Sequence, residues 1–402
     1  MKTVNNPFAP GAGTQPPELT GRDKNLELAK VTLQRVKEGK PSRSQLLIGL
    51  RGVGKTVLLN RIKIIADQEQ GYYSVLIESP EEKSLAEILV SPLRQLLLRL
   101  DEESKTKDKI KRALGALQAF ASVFEVKIGE ISVGIKSPAG VADSGVLTQD
   151  VTDLFVALGE AAMEAKTAVA IFIDELQYVN QKDLAALLAG IHRVGQLNLP
   201  FVVFGAGLPQ LAGLTGNAKS YAERLFDLQE IGKLEKIDAQ KAIKDPVEQQ
   251  GEKIEQAALD NIIKVTEGYP YFLQEWGKHS WERATSSPIT CRDVSAATND
   301  AIRTLDNGFF RVRFDRLTPL EKDYLRAMAE LGDGPHRSGD IAAKLGRPVE
   351  QVAPLRAKII SKGMIYAPSH GDTAFTVPKF GEYMKRVMPD FNPHPPRKRS
   401  GH

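Results

Sequence analysis

Leu46-Leu47-Ile48-Gly49-Leu50-Arg51-Gly52-Val53-Gly54-Lys55-Thr56-Val57-Leu58-Leu59-Asn60-Arg61-Ile62 decides how this chain is read. A short apolar run enters a glycine-rich turn, and a helical pattern leaves it. The turn, 49–56, matches GxxxxGK[ST] in the strand-to-helix setting that this motif requires. Glycines let backbone amides turn inward and cradle phosphates, and the helix N-terminus adds partial positive charge facing the same anion. Gly49, Arg51, Gly52, Val53, Gly54, Lys55, Thr56 and Val57 are therefore the candidate phosphate-binding set. Lys55 is expected on the β- and γ-phosphates, and the Thr56 hydroxyl on Mg²⁺. A Gly-rich turn that binds nothing is the competing reading, and the flanking strand and helix weigh against it.

Ala168-Val169-Ala170-Ile171-Phe172-Ile173-Asp174-Glu175 reads as a buried strand ending in two acids. Ligands of open α/β sheets sit at the carboxyl ends of strands. Asp174 is thus the candidate Mg²⁺ holder, and Glu175 the group that orients and activates water. Two acids starting a solvated helix would look the same in isolation. The pairing with the glycine loop gives them weight. A strand at 201–204 should lie beside the Asp174 strand. It leads into Gly205-Ala206-Gly207-Leu208-Pro209, with Gln210 the nearest amide, so no γ-phosphate sensor is assigned.

Further apolar runs at 73–77 and 225–231 complete five strands alternating with helical segments. The pattern predicts a parallel sheet covered on both faces. About 90 residues separate the second and third strands, more than one crossover helix needs. The excess, about 101–147, reads as an insertion with a charged helix near 105–117 and a hairpin. Val126 and Ile128 would form one arm of that hairpin, Ile131, Val133 and Ile135 the other, around Gly129-Glu130.

Composition is that of an ordinary globular protein. Of 402 residues, 42% are hydrophobic, 26% charged and 6% aromatic, which argues against disordered, collagen-like and disulfide-scaffold classes. The length suggests two to three domains at roughly 150 residues each. Apolar runs fall short of the roughly 18 residues a membrane helix needs. The first 18 residues have no apolar core, so no secretory signal is expected. Cys291 is the single cysteine, and a reducing cytoplasmic location is the expectation. The chain carries a formal +4. Residues 316–402 carry +6, from 15 Lys/Arg against 9 Asp/Glu, and residues 1–315 carry −2, a C-terminal basic excess that points weakly to nucleic acid.

Three further segments carry a resemblance. Leu19-Thr20-Gly21-Arg22-Asp23-Lys24-Asn25-Leu26-Glu27 precedes the glycine loop, Thr266-Glu267-Gly268-Tyr269-Pro270-Tyr271-Phe272 lies in a helical region, and Tyr221-Ala222-Glu223-Arg224-Leu225-Phe226 precedes the fifth strand. With the loop and the acidic strand, they resemble origin-recognition or initiator-like AAA+ ATPases of the STAND and archaeal-ATPase-related group, over roughly 15–305. The resemblance implies that Arg22 lines the adenine pocket and that the Pro270 turn of a helical lid contacts the nucleotide. It also implies that Arg224, or less strongly Lys219, acts as an arginine finger on a neighbour's ATP, in a nucleotide-dependent homo-oligomer. Each segment has a plain alternative: a turn before a helix with Asp23 as cap, a glycine C-cap before a proline-started helix, and a surface arginine.

The implied organisation is a flexible arm at 1–18, an ATPase core at 19–237, a helical lid at 238–305, a C-terminal domain at 316–388 and a basic tail at 389–402. In the C-terminal domain, Thr318 caps a helix with Pro319 at its first position and Glu321 at the capping-box position. Helices follow near 338–346 and 349–362, with Pro354 expected in the first turn of the latter, then strands at 364–367 and 373–377. This order resembles a winged helix-turn-helix domain, whose third helix enters the DNA major groove. Arg356, Lys358 and Lys362, expected outward on that helix, are the candidate DNA contacts. The function expected is an ATP-binding and ATP-hydrolysing switch that binds double-stranded DNA, with Mg²⁺ as cofactor. The alternative is a signalling or scaffold NTPase whose winged helix binds protein partners.

Overall fold

A computed structural model describes residues 1–11, 13–104, 107–127, 140–218 and 222–394. The chain divides into two compact units. One comprises Arg22–Gly49 and Gly54–Ile231; the other comprises Met1–Gly21, Leu50–Val53 and the chain from Gly232 onward.

The first unit is built on a five-stranded sheet. Its strands are β1 (Ser44–Ile48), β2 (Tyr73–Glu78), β3 (Val169–Asp174), β4 (Phe201–Gly207) and β5 (Phe226–Glu230). They run parallel in the order β2-β3-β4-β1-β5. All residues of β1, β3 and β4 are buried, as near-continuous apolar runs in a doubly covered sheet must be. The expected α/β fold with a parallel sheet is therefore the observed one, and β3 does pair with β4. On one face Phe172 stacks on Phe204 at 5.1 Å. Each such buried ring contributes about 1.5–3 kcal/mol relative to exposure.

Among the described residues, the long interval between β2 and β3 holds three helices, Leu85–Glu103, Asp108–Val123 and Leu147–Glu164. Ser84 and Glu87 close a capping box at the start of the first. Ile110, Leu114, Leu117 and Phe120 of the second belong to the same apolar core as the sheet. That stretch of the expected insertion is thus core structure. Most of the expected hairpin, from Ile128 onward, lies outside the described residues.

A buried amide chain ties helix Asp23–Lys37 to the sheet. Gln45 of β1 donates to Thr32 Oγ1 at 2.7 Å, Gln229 of β5 donates to Gln45 Oε1 at 2.6 Å, and Asn25 donates to Gln229 Oε1 at 2.6 Å. Gln45 is fully buried, so each member needs these partners. Arg22 is the N-cap of this helix, and Asp23 makes no side-chain cap.

In the second unit, helices Lys236–Gln249, Gln256–Thr266, Pro270–Arg283 and Cys291–Leu305 occupy the stretch 236–305. The N-terminal arm lies along Pro270–Arg283. Trp281 Nε1 donates to the Lys2 carbonyl at 3.0 Å and Asn6 Nδ2 to the Lys278 carbonyl at 3.1 Å, and Phe8 is buried over Gly277. The first eight residues are therefore anchored, where the sequence suggested a flexible arm.

The C-terminal module of this unit runs helix Pro319–Leu331, β6 (His336–Arg337), helices Ser338–Lys344 and Val349–Ser361, β7 (Ile365–Tyr366), β8 (Asp372–Phe375) and helix Phe380–Val387. Its antiparallel sheet has the order β6-β8-β7. The Thr318–Glu321 capping box forms as expected. Pro354 lies inside Val349–Ser361, which starts directly after Pro348, so the expected late start is corrected. The residues before Pro354 are already helical, and the helix runs through the lost backbone donor. β6 and the last helix were not expected. The last helix buries Phe380, Tyr383 and Met384, with Phe310 against both rings at 5.9 and 5.3 Å. Among the described residues, no helix is long and apolar enough to cross a membrane.

Candidate nucleotide site

The site begins where β1 ends. Gly49 N donates to the Gly207 carbonyl at 3.1 Å, which fixes the start of the glycine loop beside the end of β4. Gly54, the N-cap of helix Lys55–Ile64, has φ +90° and ψ +20°. An L side chain is strained there, so glycine is required. The helix makes no side-chain N-cap bond, and a helix N-terminus is a favourable place for an anion. Lys55 and Thr56 are the first two residues of this helix, with Lys55 only 7% exposed. Val57 follows in the same turn.

β3 delivers the acids. Thr56 Oγ1 donates to Asp174 Oδ2 at 2.6 Å, although 118 positions separate them in sequence. Asp174 is buried, and burial pushes its carboxyl above the usual range against the opposing Thr56 hydrogen bond. A cation there would favour the ionised form. The hydroxyl and carboxylate sit together as a hard, oxygen-only pair, the donor set that Mg²⁺ takes. Asp174 Oδ1 also accepts from Glu175 N at 2.8 Å. Glu175 itself sits at φ +54°. A non-glycine residue in the left-handed region costs about 1–3 kcal/mol and is concentrated at functional sites.

The amide nearest Glu175 is one the sequence reading missed. Gln177 Nε2 donates to Glu175 Oε2, and Gln177 Oε1 accepts from Leu208 N at 3.0 Å. Gln210, singled out from sequence, has a buried side-chain oxygen with no hydrogen-bond partner. No signal in a lone glutamine two positions past an acid distinguishes it from a solvated turn residue.

In the second unit, the loop segment Leu50–Val53 is held by the Gly-Tyr-Pro turn. Tyr271 N donates to the Gly52 carbonyl at 3.1 Å, and Tyr269 Oη donates to the Arg51 carbonyl. Pro270 occupies the first helical position, which leaves Tyr269 extended toward the loop. Arg51 N donates to the Thr376 carbonyl at 3.1 Å, in the C-terminal module.

Residues 18–204 match a family described as AAA ATPase domain, and residues 307–384 a family described as a domain of unknown function. The stretch that matches the AAA ATPase model contains both the glycine loop and the strand ending in Asp174-Glu175. Among solved structures, the Walker-type ATPase PABY2304 of Pyrococcus abyssi is 15% identical, with 92% of this chain and 97% of that one covered and a TM-score of 0.56. The Thermotoga maritima RuvB Holliday junction branch migration motor is 16% identical, with 90% and 94% covered and a TM-score of 0.44. The Aeropyrum pernix ORC1 protein in complex with DNA is 13% identical, with 92% and 93% covered and a TM-score of 0.44. No curated protein sequence matches the chain.

Of the remaining sequence candidates, Arg22 is buried at the N-cap of helix Asp23–Lys37. Arg224 is exposed in the short helix Ala222–Leu225, at the edge of β5, while Lys219 lies outside the described residues. The expectation of three outward cations on Val349–Ser361 fails for two of them. Arg356 donates to Thr373 Oγ1 at 2.7 Å and to the Asp372 carbonyl at 2.6 Å. Lys362, the C-cap, donates to Glu321 Oε2 at 2.7 Å and to the Arg316 carbonyl at 2.9 Å. Glu321 is buried, and burial alone would raise its carboxyl. Hydrogen bonds from Lys362 and Thr318 outweigh that and hold it below the ordinary carboxylate range. A buried carboxylate needs such a partner. Lys358 remains exposed.

Proposed function

We propose that the chain is an ATP-binding and ATP-hydrolysing switch. The observation that carries this reading is the Thr56–Asp174 hydrogen bond at 2.6 Å, directly beside buried Lys55. The loop amides and Lys55 hold the β- and γ-phosphates. Thr56 and Asp174 hold Mg²⁺, which supplies charge neutralisation on the phosphates. Glu175 accepts a proton from water as the water attacks the γ-phosphorus, and ADP and inorganic phosphate leave. Roles for Arg22 at the base and for Pro270 in the lid are proposed on the sequence resemblance alone. Phosphate release from Mg-ATP by the full chain tests the reading. No release above a buffer control would refute hydrolysis.

Arg224 is proposed as a finger acting on a neighbouring copy's ATP. Its exposure on a short helix next to β5 supports that. Arg224→Ala is expected to lower turnover by about 10³-fold or more under self-associating conditions. It should leave the slow basal rate of dilute protein unchanged. Mixing it with a Lys55→Ala variant should restore part of the activity. Rates that simply average on mixing would reject the finger.

The C-terminal module is proposed as a winged helix that docks on duplex DNA. The support is its helix and strand order and the basic excess of 316–402, half of it in Arg397, Lys398 and Arg399. Lys358 is the third-helix cation facing water. Lys358→Glu in the full chain with ATP should flatten the log–log salt dependence of DNA binding by about one unit for each phosphate no longer neutralised, equally across sequences. Lys362→Glu is unsuitable, because it would set a carboxylate against buried Glu321. Absence of salt-sensitive binding in fluorescence anisotropy would transfer the module to protein recognition.

A further inference from the structure

β4 ends in Gly205-Ala206-Gly207, and no polar side chain projects from that end. The space is nevertheless occupied. Gln177, in the 3₁₀ turn Leu176–Tyr178 that follows β3, lays its side chain across the ends of both strands. Leu208 N can only donate, so the oxygen of the amide must face it, at 3.0 Å. The NH₂ end is then fixed toward Glu175, and it donates to Oε2 of that carboxylate. Gly207 makes room for this. A Cβ there would lie 2.8 Å from Gln177 Oε1, closer than real Cβ contacts allow. The Gly207 carbonyl also receives Gly49 N, the first amide of the phosphate loop. One amide therefore links Glu175 to the end of β4, whose last carbonyl receives the first amide of the glycine loop.

Glu175 has particular need of a partner. Its left-handed backbone lifts it out of the β3 line, and a carboxylate on a free side chain samples several rotamers. A general base works only when it is held at hydrogen-bond reach of its proton. A fixed donor on Oε2 holds the plane of the carboxylate without itself touching the reacting atoms.

We propose that Gln177 is a positioning residue for hydrolysis. It orients the Glu175 carboxylate and takes the place of the polar side chain that β4 lacks. The inference rests on Glu175 being the base.

The test uses the full chain and four variants: Gln177→Ala, Gln177→Glu, Glu175→Gln, and Glu175→Gln combined with Gln177→Ala. ATP affinity, single-turnover hydrolysis and melting temperature are read for each. Gln177→Ala is expected to cut the hydrolysis rate by about 10- to 100-fold, the order of loss that misplacement of a reacting group brings, with the ATP dissociation constant within about twofold. Gln177→Glu keeps the length and the acceptor for Leu208 N but loses the donor. It should fold normally and lose at least as much rate. In the Glu175→Gln background, removing Gln177 should cost nothing further, because residues that act as a unit are not additive. If Glu175→Gln is slow while Gln177→Glu hydrolyses at the wild-type rate, or if the two losses multiply, Gln177 is only a packing residue and the proposal falls. If Glu175→Gln itself hydrolyses at the wild-type rate, the base assignment falls and this proposal falls with it.

Discussion

Glu175→Gln is expected to keep ATP bound and to slow its hydrolysis by about 10²- to 10⁴-fold, the usual worth of a positioned general base. The amide matches the carboxylate in shape, so the turn after β3 should keep its geometry. What is lost is the capacity to accept a proton. Thr56 and Asp174 are untouched and still meet at the helix N-terminus, so metal and phosphate binding should persist. The variant should therefore accumulate bound, uncleaved ATP. Nucleotide extracted after mixing with Mg-ATP and resolved by chromatography checks this. Rapid conversion to ADP at the wild-type rate would remove Glu175 from the mechanism.

Lys55→Ala is expected to weaken ATP binding by about a hundredfold or more. A hydrogen bond to a charged group contributes about 1.5–3 kcal/mol. With Lys55 serving two phosphates as proposed, a loss of roughly 3 kcal/mol corresponds to about two decades in Kd. Backbone dipoles do not replace a full charge, and the loop's other cation, Arg51, donates to the Gly363 carbonyl at 3.4 Å. Removing Lys55 should not unfold the domain. The helix it begins is held by Leu58, Leu59 and Ile62, all fully buried. An unchanged melting temperature would separate loss of binding from loss of structure.

The features legible in the sequence were those written in short stretches of chain. The glycine loop and the strand ending in Asp174-Glu175 each occupy about eight residues. Their elements were recognisable because buried parallel strands are continuous apolar runs. The capping box at Thr318 was equally local. What escaped depends on residues far apart. Gln177 acquires its meaning from Leu208 and Gly207 on the neighbouring strand. The positive φ of Glu175 has no sequence signature, since glutamate is not a residue that favours it. Helical spacing placed Arg356 and Lys362 on a polar side of their helix, but spacing cannot reveal a buried carboxylate such as Glu321 on another helix. The arm read as flexible because Pro, Gly and Asn dominate it. One phenylalanine, Phe8, is enough to seat it on a helix. The three helices between β2 and β3 exceeded the usual crossover, yet their apolar faces complete the sheet's own core.

The central claim is that the loop ending in Lys55 and Thr56 binds ATP. Calorimetric titration of Mg-ATP into the full chain and into Lys55→Ala, side by side, tests it most directly. Saturable binding at one nucleotide per chain is expected for the wild type, and a Kd at least about a hundredfold weaker for the variant. Equal affinity in the two proteins, or no saturable binding to the wild type, would contradict it.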